Sequence, residues 1–141
     1  MSSDESPSQA ASTGVPLQSG LVDVGSISDF EHAVPRVFVI GDREIGVVRW
    51  GDVFFAVRNH CPDQGGPLCM GAVRLPLSAD PTQDHVDLTV EEGPPIIACP
   101  WHHYEFDLET GHELRGGRRA ITYRIEVADG RVLVRPGRAA G

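Results

Sequence analysis

The sequence predicts a small all-β domain, and three observations carry that prediction. Apolar residues come in short runs rich in Val and Ile, turn dipeptides divide the runs, and no segment keeps a helical period over about eleven residues. The 16 Gly and 11 Pro among 141 residues suit a loop-rich fold, and the length suits one domain.

Residues 1–19 are mostly Ser, Pro, Ala, Gln and Gly, too poor in apolar surface to offset the cost of ordering, and are predicted to be a disordered tail. Ser28–His32 is the one helix candidate, a short turn that Ser28 could cap. Arg36–Ile40, Glu44–Trp50 and Val53–Arg58 follow as consecutive antiparallel strands, separated by Gly41-Asp42 and Gly51-Asp52. Pro76–Pro95 contains Asp80, Asp84, Asp87, Glu91 and Glu92 with no basic residue. It reads as a solvated insertion holding at most a short strand at Val86–Val90. After a β run at Ile96–Ala98, Ala120–Val127 alternates Ile121, Tyr123, Ile125 and Val127 with Thr122, Arg124 and Glu126. Asp129-Gly130 then turns it back into Arg131–Arg135. Residues 136–141 read as a second disordered end, leaving a folded domain over 20–135 with room for one modest core.

Twelve basic residues, all Arg, oppose 20 Asp and Glu, for a net charge of −8 and a pI near 5.1. That balance disfavours a nucleic-acid partner, since phosphate binding needs a basic surface. No apolar run approaches the roughly 18 residues a membrane span needs, and the first residues lack the basic and apolar regions of a secretory leader. A cytoplasmic chain is therefore expected. In such a setting Cys61, Cys69 and Cys99 read as thiols or metal ligands rather than a disulfide scaffold.

Two Cys-centred loops carry the chemistry. The first, within 59–70, reads Asn59-His60-Cys61-Pro62-Asp63-Gln64-Gly65-Gly66-Pro67-Leu68. The second, within 98–111, reads Ala98-Cys99-Pro100-Trp101-His102-His103-Tyr104-Glu105-Phe106-Asp107 and runs on to Thr110-Gly111. Each follows a β run and opens with Cys-Pro, whose proline removes a backbone donor and stiffens the loop. Gly65-Gly66 lets the first loop fold tightly. Thiolate with imidazole suits zinc or an iron–sulfur centre.

These loops resemble those of the Rieske iron–sulfur proteins, above all in Cys99-Pro100-Trp101-His102 followed by Phe106-Asp107 and Thr110-Gly111. The similarity is greatest to soluble, single-domain bacterial members with a long spacer between the loops. It implies an antiparallel β-sandwich with a small cluster-binding subdomain, a [2Fe-2S] cluster, and one-electron transfer to a redox partner protein. That role is a ferredoxin-like carrier or the small subunit of an oxidoreductase. Carried over by position, Cys61, Cys99 and His102 are ligands, and Asp63 stands where the family has its other histidine. Asp Oδ1 and imidazole Nδ1 both lie two bonds from Cβ, so Asp63 suits the same iron. Rival readings are a Rieske fold that has lost its cluster, a single zinc on Cys61, Asp63, Cys99 and His102, or His60 or His103 replacing the missing ligand.

Around the site, Cys69 is expected to be a small buried thiol, and Trp101 and Phe106 to be packing that shields the centre. His32, His85 and His112 are expected at the surface, and Arg115-Gly116-Gly117-Arg118-Arg119 in a solvated hairpin loop, with contact to an acidic redox partner as the alternative. His103 occupies a turn position where the family commonly has Gly and a positive φ, which His tolerates better than a β-branched residue does. No Ser–His–Asp arrangement or phosphate loop is visible, so the chain is not expected to be catalytic by itself.

Overall fold

A computed structural model describes residues 12–17, 20–62, 65–79, 88–90, 93–101 and 103–137. Thirteen strands follow one another: β1 (Ser12–Thr13), β2 (Val15–Pro16), β3 (Val22–Ser26), β4 (Arg36–Ile40), β5 (Arg43–Trp50), β6 (Val53–Arg58), β7 (Val73–Arg74), β8 (Leu77–Ala79), β9 (Leu88–Val90), β10 (Ile96–Ala98), β11 (Glu105–Asp107), β12 (Thr122–Ala128) and β13 (Arg131–Arg135). The main sheet runs β1-β4-β5-β6-β12-β13-β3-β2; a second runs β11-β10-β7, and β8 pairs with β9 alone. The antiparallel all-β architecture is thus as the sequence predicts. The main sheet is continuous and curls so that β3 and β13 face β4, β5 and β6 across the core, which gives the two layers of the predicted sandwich.

The reason lies in residues expected to be tail. β1 pairs parallel with β4 and β2 pairs antiparallel with β3, so two strands separated only by Gly14 occupy opposite edges of the sheet. The chain therefore joins the two edges at Gly14, where any Cβ would overlap the Val22 side chain. Segment 12–16 is a closing piece of the fold; residues 1–11 lie outside the described ones.

The three central hairpins form where the turn chemistry places them. Gly41 (φ 66°) and Gly51 (φ 61°) each stand first in a two-residue loop, as a II′ turn requires. Asp129 (φ 53°) and Gly130 (φ 75°) are both left-handed, as a I′ turn requires. Side chains then alternate along each strand. From β5, Ile45 and Val47 enter one core while Val48 enters another; from β6, Phe54 and Ala56 part company with Val57 in the same way. The first core fills the curl of the main sheet with Phe30, Phe38, Tyr123, Val132 and Val134. The second lies outside it, against Ile97 of β10 and Phe106 of β11, and holds the small sheet to the large one. Each fully buried Val, Ile, Leu or Phe there contributes about 1.5–3 kcal/mol.

Three local expectations are corrected. β12 buries Thr122 and Tyr123, yet Ile121 and Val127 are 39% and 45% exposed. It pairs with β6 at Thr122 and Tyr123 and with β13 along its length; Tyr123 and Ile125 of the alternating row face the first core, while Ile121 and Val127 at its two ends do not. The turn expected at Ser28–His32 is a 3-10 turn over Ile27–Asp29, and Ser26 rather than Ser28 is its N-cap, with the Ser26 N–H donating to Asp29 Oδ2 at 3.0 Å. The acidic insertion contains the β8–β9 hairpin, with Leu77 opposite Val90; residues 80–87 and 91–92, including His85, lie outside the described ones. Among the described residues no helix is long and apolar enough to cross a membrane.

Candidate metal centre

Both Cys-Pro loops are built by one hydrogen-bonding scheme. The Cys61 N–H donates to the Gly66 carbonyl and the Gly65 N–H to the Cys61 carbonyl, both at 2.8 Å. The Cys99 N–H donates to the Tyr104 carbonyl at 2.8 Å and the His103 N–H to the Cys99 carbonyl at 2.7 Å. In each case the cysteine backbone closes a ring on the residues four and five positions later. Closing it needs a left-handed residue at the fourth, and Gly65 (φ 74°) and His103 (φ 61°) supply it. His103 thus adopts the conformation its family position implies, at a cost Gly would not pay. His103→Gly is expected to raise stability by about 1 kcal/mol, read as a higher denaturant midpoint with an unchanged slope.

The loops meet. Trp101 lies on Gly66, where an added Cβ would sit 2.8 Å from the indole Cδ2. Gly71, just after the 3-10 turn Leu68–Met70, runs so close beneath the Ala98 carbonyl that a Cβ would overlap the oxygen. Cys61 and Cys99 are 1% and 0% exposed and belong to the same buried cluster as Leu68, Ile97 and Phe106. Two cysteines from two loops of like shape thus join one buried apolar cluster. That donor set fits a metal centre with a sulfur-bound side held in the protein. Asp63, Gln64 and His102 lie outside the described residues. Among the described residues no three His, Cys, Asp or Glu side chains come together as a metal site. Neither His60 nor His103 therefore completes a set with the two cysteines. The His60 ring instead packs over Gly65, 3.1 Å from where a Cβ would be, and His103 is exposed.

Cys69 differs from the other two cysteines. It lies against Gly46 of β5, 6% exposed, and its N–H donates to Asn59 Oδ1 at 2.7 Å. Burial pushes its thiol up to about 12, with Glu44 adding to the shift, so it stays protonated in the core. Phe106 is fully buried, as expected for packing, but Trp101 is 55% exposed where it lies on Gly66. His112 is at the surface. His32 is exposed too, yet it is fixed, stacked on Trp50 at 4.4 Å and accepting the Gly51 N–H at Nδ1.

One supporting group escapes sequence reasoning. Glu113 is buried and accepts from Arg118 Nη1 at 3.3 Å and from the Arg118 N–H at 3.2 Å. The Arg118 guanidinium lies 4.3 Å from the Tyr104 ring centre, and Tyr104 carries the carbonyl that closes the second loop. The stretch read as a plain solvated loop thus braces the second Cys loop. Only the five-residue spacing of Glu113 and Arg118 around Gly116-Gly117 hints at this in the sequence.

Comparison with known proteins agrees with this geometry. The profile of the Rieske [2Fe-2S] domain matches residues 20–118. A Rieske domain-containing protein of Homo sapiens is 30% identical over 93 residues, 66% of this chain and 50% of the relative, so the chain spans about half that protein's length. Among solved structures, the ferredoxin of carbazole 1,9a-dioxygenase from Nocardioides aromaticivorans IC177 is 26% identical. It aligns with a TM-score of 0.62 over 82% of this chain and 97% of its own. A protein described as the small subunit of an NADH-dependent nitrite reductase from Mycobacterium tuberculosis shares the fold at 18% identity, with a TM-score of 0.64 over 81% of this chain and 92% of its own. With the profile covering most of its length and both cysteine loops inside the match, the chain belongs to the Rieske [2Fe-2S] domain family.

Proposed function

We propose that this chain is a one-electron carrier, working as a ferredoxin-like protein or as a small subunit beside a larger oxidoreductase. The observation that carries the reading is the matched pair of loops bringing Cys61 and Cys99 into one buried cluster. The family's cluster, when bound, takes up and gives back one electron. Cys61 and Cys99 are assigned to the inner iron, and His102 with Asp63 to the outer one. The likeness to a dioxygenase ferredoxin supports the carrier role, and the exposed second loop supports electron exit at that end.

Asp63 sets this chain apart. Two thiolates and two neutral imidazoles balance the +2 of an oxidised [2Fe-2S] core, whereas a carboxylate in place of one imidazole leaves the site at −1. The added negative charge opposes reduction, so the potential is expected to fall below the Rieske range of about −150 to +300 mV, toward the roughly −400 mV of plant-type ferredoxins with four Cys ligands. It also leaves one titrating ligand imidazole rather than two.

Iron and sulfide analysis of anaerobically purified wild type, Asp63→Ala and Asp63→His tests the assignment. Wild type is expected to hold about two irons and two sulfides, Asp63→Ala to lose most of both, and Asp63→His to retain them at a higher potential. Full iron in Asp63→Ala would remove Asp63 from the ligand set. A colourless wild type without sulfide would remove the electron-transfer reading altogether.

A further inference from the structure

Beside the second loop lies an open cleft of about 440 Å³, bordered by His103, Tyr104, Leu114, Arg115 and Arg118. Two carboxylates also face it, but both are held within the protein: Glu105 by Arg74 and the buried Glu113 by Arg118. Arg115 is exposed and Leu114 is 41% exposed. The chain as a whole carries −8, yet Leu114-Arg115-Gly116-Gly117-Arg118-Arg119 contains three Arg and no acid. This stretch hangs on the β11 edge of the small sheet through the Phe106–Glu113 bridge, across the cleft from the exposed His103 of the second loop. With Glu105 and Glu113 each held by an arginine, the exposed Arg115 beside Leu114 leaves the site's own rim locally positive on an acidic protein, the makeup of a contact surface.

We propose that this cleft docks an acidic face of the redox partner, a partner carboxylate pairing with Arg115 while Leu114 supplies the apolar contact. The inference rests on the electron-transfer reading above and adds the charge of the partner to it. Local charge at the exit point then governs encounter, against the sign of the protein's overall charge.

The two fields are separable by salt. The holoprotein is reduced and its reoxidation by anionic ferricyanide is followed between 0.01 and 0.15 M salt, over which the screening length falls from about 30 to about 8 Å. A repelling chain of net charge −8 makes ferricyanide faster as salt rises; an attracting patch makes it slower. The expected result is slowing. Arg115→Glu, a surface change outside the proposed ligand set, is expected to lower the ferricyanide rate about fivefold at the lowest salt. It should abolish the slowing and speed oxidation by cationic hexaamminecobalt(III). Wild-type rates with ferricyanide that climb with salt, or an Arg115→Glu rate unchanged at low salt, overturn the docking surface while leaving the carrier intact. A preparation lacking iron and sulfide defeats the carrier, and this proposal with it.

Discussion

Cys99→Ala is expected to yield a folded, colourless protein with iron and inorganic sulfide near zero. Cys99 sits at the head of the second loop, fully buried, and its backbone rather than its side chain closes the loop through the His103 and Tyr104 hydrogen bonds. Removing the sulfur thus takes away a proposed ligand without taking away the loop. Cys61→Ala should do the same for the first loop. Cys69→Ala is the control: it truncates a thiol equally buried in the same apolar cluster but pressed against Gly46 and protonated. It is expected to cost about 1 kcal/mol of stability, as small core truncations do, and to keep its iron. Metal analysis beside far-UV circular dichroism separates these outcomes. Iron lost equally from all three variants would mean that packing, not ligation, had been disturbed.

Gly71→Ala is expected to produce the largest loss of stability from any single added methyl. Its Cβ would meet the backbone carbonyl of Ala98, which cannot swing aside because Ala98 is the last residue of β10 and its N–H donates to the Ala72 carbonyl at 2.9 Å. Relief requires the end of the first loop to part from the start of the second. Overpacking against backbone costs about 3 kcal/mol or more, a large share of the roughly 5–15 kcal/mol that holds a domain together. Denaturant unfolding measures that loss directly. Iron content should fall as well, because the separation falls between the two buried cysteines. A Gly71→Ala protein with wild-type stability would show that the close approach is not maintained in solution.

The legible parts of this fold are the local ones. Gly41-Asp42, Gly51-Asp52 and Asp129-Gly130 fix φ within two residues, and the β-branched runs beside them have no competing helical period, so β4, β6 and β13 fall where their residues indicate. β1 and β2 are different. Ser12-Thr13 and Val15-Pro16 have no strand pattern of their own and become strands because β3 and β4 present open edges on either side. The exposure of Ile121 and Val127 at the ends of the β12 row was equally hidden, since alternation reports which side chains share a face and not how far the cover over it extends. At the site, Cys-Pro marked both loops and their ends. The brace of Glu113, Arg118 and Tyr104 was not legible, because long side chains find their partners only once the hairpin has set their directions.

The twin rings at Cys61 and Cys99 bear on how a guest is received. Each cysteine's own amide and carbonyl are satisfied within its loop, and the loops lock together through bare glycines pressed on indole and carbonyl. The receptacle is therefore shaped by the polypeptide beforehand, unlike the small zinc modules whose fold waits for metal. Little ordering entropy is left to be spent at loading, so affinity can go into bonds with the guest, and an emptied protein should keep its form long enough to be refilled.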